Sequence, residues 1–378
     1  MKAILDTVGF EIESIGLTRN EMSAILDTLP SSVYSMLHLD RDASVEFNAR
    51  SIGGTSLAVS THTTEYNRLP ITGRSSTYGY ELISSPVSIS TAENILWNLL
   101  PKLQSGGDFT HERAAFHVHV GFGCSIKILK RAMMLGLKVD PLLFRIAGMG
   151  RKFRGESNHS IYARPLSNGP SVYHSSSSTY YRMLDPQKAI ASSTIREFFN
   201  CYAISVDNSS PVRYHPARYF AWNLYSLLLH GTIEFRHFNQ TLSPTLAISV
   251  VKFCRALAEL IMYYDESLLD AIPDMSVFEK YSDDDYIRVL DTLIAHMKMN
   301  DVSDPLNAKE IDVMYKNIYD TPHHKLVEHN TLTHNRDYRL SSEYVNSGLF
   351  TKVGRPSPAG NIDIHNIGQG RFSIIGDE

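Results

Sequence analysis

The pattern that most constrains how this chain folds is a pair of ionisable residues separated by one large apolar residue. It occurs three times, as Glu11-Ile12-Glu13, His117-Val118-His119 and Glu234-Phe235-Arg236. Successive side chains of a β-strand point to opposite faces, so each pair shares one face and the apolar residue between them points to the other. The pattern therefore predicts a sheet with one apolar face and one face that carries carboxylates, imidazoles and a guanidinium.

The composition is that of a soluble globular protein: of 378 residues, 43% are hydrophobic and 20% are charged. With a net charge of -4, no overall electrostatic field favours nucleic acid or an anionic membrane as a partner. No apolar stretch is long enough to cross a membrane. Cys124, Cys201 and Cys254 form no CxxC pair, which favours small buried side chains over a disulfide framework or a structural zinc site. We expect a cytoplasmic protein.

Periodicity along the chain predicts strands and helices in three regions. We expect a mixed region over 1–265, a helical extension over 266–333 and an extended or partly disordered tail over 334–378. Within the first region, 151–193 has no clear period and is interpreted as a long loop. Residues 218–238 predict a β-hairpin turning at His230-Gly231. Ser243-Pro244 predicts the start of the longest helix, and two further helices are expected at 283–299 and 307–319. The acidic run at 283–285 is expected to cap the first of these two.

A face that holds several carboxylates and two imidazoles is costly unless a cation neutralises it. With Glu81 from a nearby strand segment, the donors are mostly oxygens, which suits Mg²⁺ or Mn²⁺. A zinc hydrolase site built from two histidines and a carboxylate is an alternative. Each pair alone is also typical of the solvated face of an antiparallel sheet. Arg236 favours phosphoryl chemistry, because a fixed guanidinium beside a metal-ligating carboxylate suits a transferring phosphoryl group.

The order of five segments resembles the amidoligases, a branch of the glutamine synthetase and glutamate-cysteine ligase superfamily. The segments are GFEIE at 9–13, ELISSP at 81–86, FHVHVG at 116–121, Tyr219-x-x-x-Asn223, and GTIEFRHFNQTLSP at 231–244. The resemblance implies an α+β, glutamine-synthetase-like fold, a curved antiparallel sheet with helices on its outer face, and a catalytic domain over 1–265. It also implies an ATP-dependent ligase that joins a carboxylate to an amine through an acyl phosphate.

The same resemblance implies roles for individual residues. Arg236 would bind the γ-phosphate, and Glu13 and Glu234 would take part in catalysis. One histidine of the pair would bind the metal nearest the phosphates, and we favour His117. The metal ligands would come from Glu11, Glu13, Glu81, His117, His119 and Glu234.

Substrate contacts are implied by two short matches. Asp42 and Ser44 lie in a segment similar to the family's Asp-x-Ser element, with Ala43 where glycine is usual. Asn223 ends the Tyr-x-x-x-Asn segment. In the long loop, Arg151 and Arg154 would bind nucleotide phosphates, although a solvated loop also accounts for them.

The predicted partners are ATP, Mg²⁺ or Mn²⁺, and small-molecule or peptide substrates that supply a carboxylate and an amine. The sequence leaves the identity of both substrates and the oligomeric state open. Two other functions are compatible with the same residues. One is a metal-dependent hydrolase that uses the His and Glu cluster, and the other is a non-catalytic binding or structural protein with the same scaffold.

Overall fold

The computed structural model describes most of the chain up to Asp320. The described residues are 7–15, 17–41, 47–52, 55–60, 66–67, 76–77, 79–106, 114–146, 163, 166, 171–174, 179–203, 216–264, 266–275 and 281–320. The predicted tail at 334–378 lies outside them, as do Asp42, Ser44, Arg151 and Arg154.

The described chain contains both strands and helices, and its last four elements are helices. The strands are β1 Val8–Ile15, β2 Leu37–Arg41, β3 Phe47–Ile52, β4 Thr55–Ser60, β5 Tyr66–Asn67, β6 Ser76–Thr77, β7 Gly79–Ser84, β8 Ala115–Gly121, β9 Ser171–His174, β10 Thr179–Leu184, β11 Tyr202–Ala203, β12 Trp222–Asn223 and β13 Thr232–Asn239. The helices are α1 Arg19–Asp27, α2 Ser31–Tyr34, α3 Ile89–Gly106, α4 Ile126–Ile146, α5 Pro186–Ala191, α6 Ile195–Asn200, α7 Ser226–Leu229, α8 Pro244–Tyr263, α9 Glu266–Ala271, α10 Asp283–Met299 and α11 Ala308–Asp320. A 3-10 helix covers Pro216–Tyr219.

The centre of the molecule is a six-stranded antiparallel sheet in the order β12-β13-β8-β1-β7-β2. Smaller sheets have the orders β5-β4-β3-β6 and β11-β10-β9. Helices together with antiparallel sheets confirm the predicted α+β class. The four strands that carry the charged segments, β13, β8, β1 and β7, are neighbours in the middle of the large sheet.

One face of the large sheet is apolar and covered by helices. Phe10, Ile12, Val118 and Phe235 alternate with the charged residues, and each is at most 1% exposed. α3 and α8 lie against β1, α8 also lies against β8, and α4 lies against β13. Burial of this face removes the large side chains from water, at roughly 1.5–3 kcal/mol each, which holds the other face in place as a rigid surface.

The C-terminal helices pack onto the same helical layer. Ser243 caps α8 and Pro244 occupies its first turn, as the sequence predicts. Lys252 of α8 reaches Glu310 of α11 at 2.8 Å, and Arg145 of α4 reaches Asp283 of α10 at 2.6 Å. Helices α10 and α11 confirm the two helices expected at 283–299 and 307–319.

Two expectations for local structure are wrong in part. The segment 151–193, interpreted as a loop, contains strands β9 and β10 and helix α5. The first arm of the hairpin expected over 218–238 is also different, since only Trp222–Asn223 is a strand and α7 follows it. The Asn223 side chain accepts a hydrogen bond from the Ser226 N–H, and this local bond favours a helical turn over continued strand.

The three cysteines are free and buried, which confirms the expectation of small buried side chains. Among the described residues, no helix combines the length and the apolar character that a membrane crossing requires.

Candidate metal and phosphate site

Strand register brings the charged residues together on the face opposite the helices. Glu11 of β1 pairs with His117 of β8, His119 of β8 pairs with Glu234 of β13, and Glu13 of β1 pairs with Glu81 of β7. We call this surface the site face. It is defined by Glu11, Glu13, Glu81, His117, His119, Glu234 and Arg236.

His117 lies at the centre of the site face and is buried. Its Nδ1 is 2.9 Å from Glu11 Oε2 and 3.7 Å from Glu234 Oε1, and its Nε2 is 3.8 Å from Glu13 Oε1. Burial and the positive charge of Arg236 lower the pKa of His117 to about 4. At neutral pH the imidazole is therefore uncharged, the form that can donate a lone pair to a cation.

His119 lies nearer the surface and is held from both sides. Its Nε2 is 3.1 Å from Glu11 Oε1 and 4.0 Å from Glu234 Oε1, while its Nδ1 is 3.1 Å from Thr232 Oγ1. Thr232 Oγ1 is in turn 2.9 Å from Ser226 Oγ. Burial lowers the pKa of His119, but the neighbouring carboxylates Glu11 and Glu234 outweigh it and raise that pKa.

Two carboxylates of the site face, Glu11 and Glu234, have lowered pKa values and are ionised at neutral pH. Burial opposes the charge of Glu11, yet His119 and His117 hold its pKa well below the usual range. Burial likewise opposes the charge of Glu234, and Arg236 lowers its pKa. Glu13 is only 2% exposed, and its Oε2 accepts the Ala115 N–H at 2.7 Å. The site face therefore combines the negative charges of Glu11 and Glu234 with the positive charge of the Arg236 guanidinium.

Two groups of side chains offer donor atoms that lie close enough to share a cation. They are Glu11, His119 and Glu234, and Glu11, Glu81 and His117, with the ligand atoms of each group within 4.8 Å of one another. Glu13 lies beside the second group. Carboxylate oxygens with an imidazole nitrogen fit Mg²⁺ or Mn²⁺, the ions that the sequence predicts.

Arg236 lies on a β-bulge at the edge of these groups. Phe235 pairs with Val118 and Phe238 pairs with Phe116, so β13 has one extra residue at this point. The Arg236 guanidinium donates to Glu234 Oε1, and its backbone N–H donates to the Ala221 carbonyl at 2.8 Å. Burial opposes its charge, but Glu234 and Glu11 raise the pKa of Arg236, so it stays charged at every physiological pH.

Of the predicted substrate contacts, only Asn223 lies within the described residues. Its Nδ2 donates to Glu234 Oε2, so it orients a carboxylate of the site face. The predictions for Asp42, Ser44, Arg151 and Arg154 fall outside the described residues.

The sequence analysis missed three residues that the fold brings to or behind the site. Thr232 holds His119, and its position two residues before Glu234 on β13 could have revealed it. Asp40 of β2 pairs with Glu81 of β7. Because Asp40 lies two residues before Asp42, strand alternation could have indicated that it shares a face with that predicted site residue. His237 lies behind Arg236 on the helix side of the sheet and contacts Asp140 of α4. No local sequence pattern indicates this contact.

Fold and site define the class: an α+β protein whose antiparallel sheet carries a candidate cation site beside a guanidinium. A family model described as "Putative amidoligase enzyme" matches residues 6–258, which include all six strands of the large sheet. The chain belongs to this family, as its motifs predict. A search of curated proteins found no match. Family membership indicates a ligase of the amide-bond-forming type.

Proposed function

We propose that the protein is an ATP-dependent carboxylate-amine ligase that acts through an acyl phosphate and requires Mg²⁺ or Mn²⁺. Family membership supports the amide-bond-forming type. The observation that carries the more specific proposal is the Arg236 guanidinium, fixed against Glu234 beside carboxylates and neutral imidazole on one face. The proposal includes a glutamine-synthetase-like scaffold, with the six-stranded sheet as its catalytic surface.

The reaction proceeds in two steps. In the first, a carboxylate oxygen of the substrate bonds to the γ-phosphorus of ATP while the bond to the β–γ bridging oxygen breaks and ADP leaves. In the second, the amine nitrogen bonds to the acyl carbon, the carbon–oxygen bond to phosphate breaks, and the nitrogen releases a proton to solvent. Neither step needs a serine or cysteine nucleophile on the protein, since positioning and charge provide the catalysis.

Arg236 has the central role on the protein's side. Its planar guanidinium can bind two phosphoryl oxygens at once, and Glu234 with the Ala221 carbonyl fixes its direction beforehand. Because the adjacent carboxylates keep it charged despite its burial, it would offset negative charge as the γ-phosphoryl group transfers.

The two groups of donors on the site face would hold the divalent cations. A bound Mg²⁺ or Mn²⁺ supplies charge neutralisation for the phosphate oxygens. Thr232 fixes the ring of His119, and Asn223 fixes Glu234, so each ligand would need little rearrangement to bind.

Positional isotope exchange tests the first step without knowledge of the amine. ATP labelled with ¹⁸O at the β–γ bridge is incubated with the protein, Mg²⁺ and a panel of carboxylates. The correct carboxylate should scramble the label, and added hydroxylamine should trap a hydroxamate. Phosphate release at the same rate with and without the carboxylate and the amine would indicate an ATPase. Hydrolysis of amide substrates without ATP would instead favour the metal-dependent hydrolase.

A pair of arginine variants gives the matched control. Arg236→Lys keeps the charge but loses the planar two-pronged contact, so isotope exchange should fall by about 10²-fold or more. Arg255→Lys changes another buried arginine, which pairs with Glu259 on α8 away from the site face, and should leave exchange unchanged. An equal loss of isotope exchange in the two variants would contradict the assignment of Arg236 to the phosphoryl site.

Three further statements belong to this proposal. The substrates are a small-molecule or peptide carboxylate and an amine, and the location is cytoplasmic. The division into a catalytic domain over 1–265, a helical extension and a tail also stays a prediction.

A further inference from the structure

A buried histidine–aspartate pair lies directly behind Arg236, on the helix side of the sheet. His237 Nε2 is 2.8 Å from Asp140 Oδ1, and both side chains are 0% exposed. Asp140 belongs to α4, 97 residues away in sequence. The pair is separate from the side chains that form the site face.

The pair is attached to the bulge that carries Arg236. In a regular strand Phe238 would share the site face with Glu234 and Arg236. The extra residue in β13 instead places Phe238 opposite Phe116, in the core. His237 and Phe238 therefore follow one another on the helix side, and Arg236 is the last side chain of β13 before the bulge changes the alternation.

The His237 ring is fixed on every side that the structure describes. Its centroid is 4.8 Å from that of Phe144, 5.8 Å from that of Phe238 and 6.2 Å from the Trp222 ring, which it meets edge-on. Asp140 is fixed as well, because its Oδ2 accepts the Leu166 N–H at 2.7 Å. The bulge is thus tied to α4 and to the segment that follows α4.

Stability alone is a weak reason for such a pair. Removing two ionisable groups from water costs several kcal/mol per ion, and replacement of buried pairs by apolar side chains is often neutral or stabilising. An apolar side chain at position 237 could pack among the same aromatic rings. It could not make the directional hydrogen bond to α4 that fixes the position of the bulge.

We propose that His237 and Asp140 are positioning residues that hold the β13 bulge so that the Arg236 guanidinium points onto the site face. Glu234 fixes the tip of Arg236, the Ala221 carbonyl fixes its backbone, and the pair fixes the residue that follows. The effect on nucleotide rests on the proposed function, whereas the orientation of Arg236 does not.

The first experiment observes Arg236 directly. In protein labelled with ¹⁵N-arginine, the Arg236 Nε–H resonance is assigned by its loss in Arg236→Lys. His237→Phe retains a ring and removes the hydrogen bond, so this resonance should shift or broaden. His237→Gln retains a hydrogen-bond donor toward Asp140, so its Arg236 resonance should match that of the wild type. An unchanged resonance in His237→Phe would overturn the proposal.

A matched variant separates positioning from loss of stability. Lys252→Met breaks two partly buried ion pairs, with Glu93 of α3 and Glu310 of α11 at 2.8 Å each. It should lower the melting temperature and leave the Arg236 resonance in place. If His237→Phe does not fold, Asp140→Asn keeps the shape, weakens the pair and should shift the resonance in the same direction.

The second experiment measures ATP binding in the presence of Mg²⁺ by titration calorimetry. His237→Phe should raise the Kd about tenfold, as misplacement of a binding group does, while His237→Gln and Lys252→Met stay within about twofold. A wild-type Kd retained by His237→Phe would overturn the proposal. Absence of ATP binding in the wild-type protein would overturn the proposed function instead, and the Arg236 resonance would still decide on positioning.

Discussion

At the scale of single residues, Glu13 illustrates how the fold fixes an acid within the site. Its Oε2 accepts the Ala115 N–H from the neighbouring strand, which leaves Oε1 on the side of His117, 3.8 Å from Nε2. A carboxylate that is 2% exposed and held in this way cannot turn to solvent. Its carboxylate is therefore held at a fixed position within the site face.

Glu13→Gln keeps the shape of this side chain and removes the charge. We expect the affinity for Mn²⁺ to fall about 10- to 100-fold, because carboxylates in and around a metal site contribute at this level. Titration followed by electron paramagnetic resonance of Mn²⁺ measures the change.

Glu310→Gln is the control for this substitution. Glu310 is similarly buried, at 5% exposed, but pairs with Lys252 between α8 and α11. Its variant should bind Mn²⁺ as the wild type does. Normal Mn²⁺ affinity in Glu13→Gln would contradict the assignment of Glu13 to the metal site.

At the scale of elements, the start of α10 is a complete capping box. Ser282 Oγ accepts the Asp285 N–H at 3.2 Å, and the Asp285 carboxylate accepts the Ser282 N–H at 3.0 Å. The Ser282 hydroxyl, which donates to the Asp285 carboxylate at 2.6 Å, and the Ser282 N–H together lower the pKa of Asp285. The acidic run at 283–285 thus stabilises the start of a helix, as the sequence predicts.

Ser282→Ala should lower the free energy of unfolding by about 1 kcal/mol at pH 7, the usual cost of a lost cap. Because folding lowers the pKa of Asp285, its contribution is present above the usual aspartate pKa of about 3.9 and is lost as the pH falls through the lowered value. The difference between variant and wild type should therefore shrink at pH 3.

Urea unfolding at the two pH values measures this difference. Ser32→Ala, at an exposed serine inside α2, should have little effect at either pH. A deficit in Ser282→Ala that is equal at pH 7 and pH 3 would show that Asp285 is not part of the cap.

At the scale of the whole molecule, one continuous core joins the sheet, the helices that cover it and the C-terminal helices. Core residues run from Val8 of β1 to Ile318 of α11. The polar contacts of Lys252, Arg145 and Arg255 cross the same boundary between the matched family segment and the helices after it. The three thiols lie within this packing and report on its integrity.

We expect the thiols of the native protein to react with Ellman's reagent at least about a hundredfold more slowly than those of the unfolded chain. Burial raises the pKa of Cys124 to about 12, raises that of Cys254 well above its usual value and also raises that of Cys201. A change from pH 7 to pH 9 should therefore speed the reaction of the unfolded chain much more than that of the native protein.

Stopped-flow labelling with and without urea measures these rates, and single Cys→Ala variants assign them. Cys201, near the surface beside Ser192, should be the first native thiol to react. Rapid native labelling of Cys254, inside α8, would contradict a core that is continuous across the helical layer.

Much of the local structure could be predicted because its causes are local. Alternation gave the two faces of β1, β8 and β13, and Ser243-Pro244 and the acidic run at 283–285 gave the starts of α8 and α10. The hairpin expected over 218–238 failed because the Asn223 side chain bonds to the Ser226 N–H and favours a turn of helix among apolar residues that fit either structure.

The sequence by itself determined which side chains share a face, because the period of a strand is two residues whatever lies beside it. Only the tertiary structure decided which of them meet. Glu11 touches His117 across 106 positions of sequence, and His237 reaches Asp140 across 97. Such contacts depend on strand register, on the bulge in β13 and on how α4 packs. Those are set by the burial of the whole apolar face rather than by any segment alone.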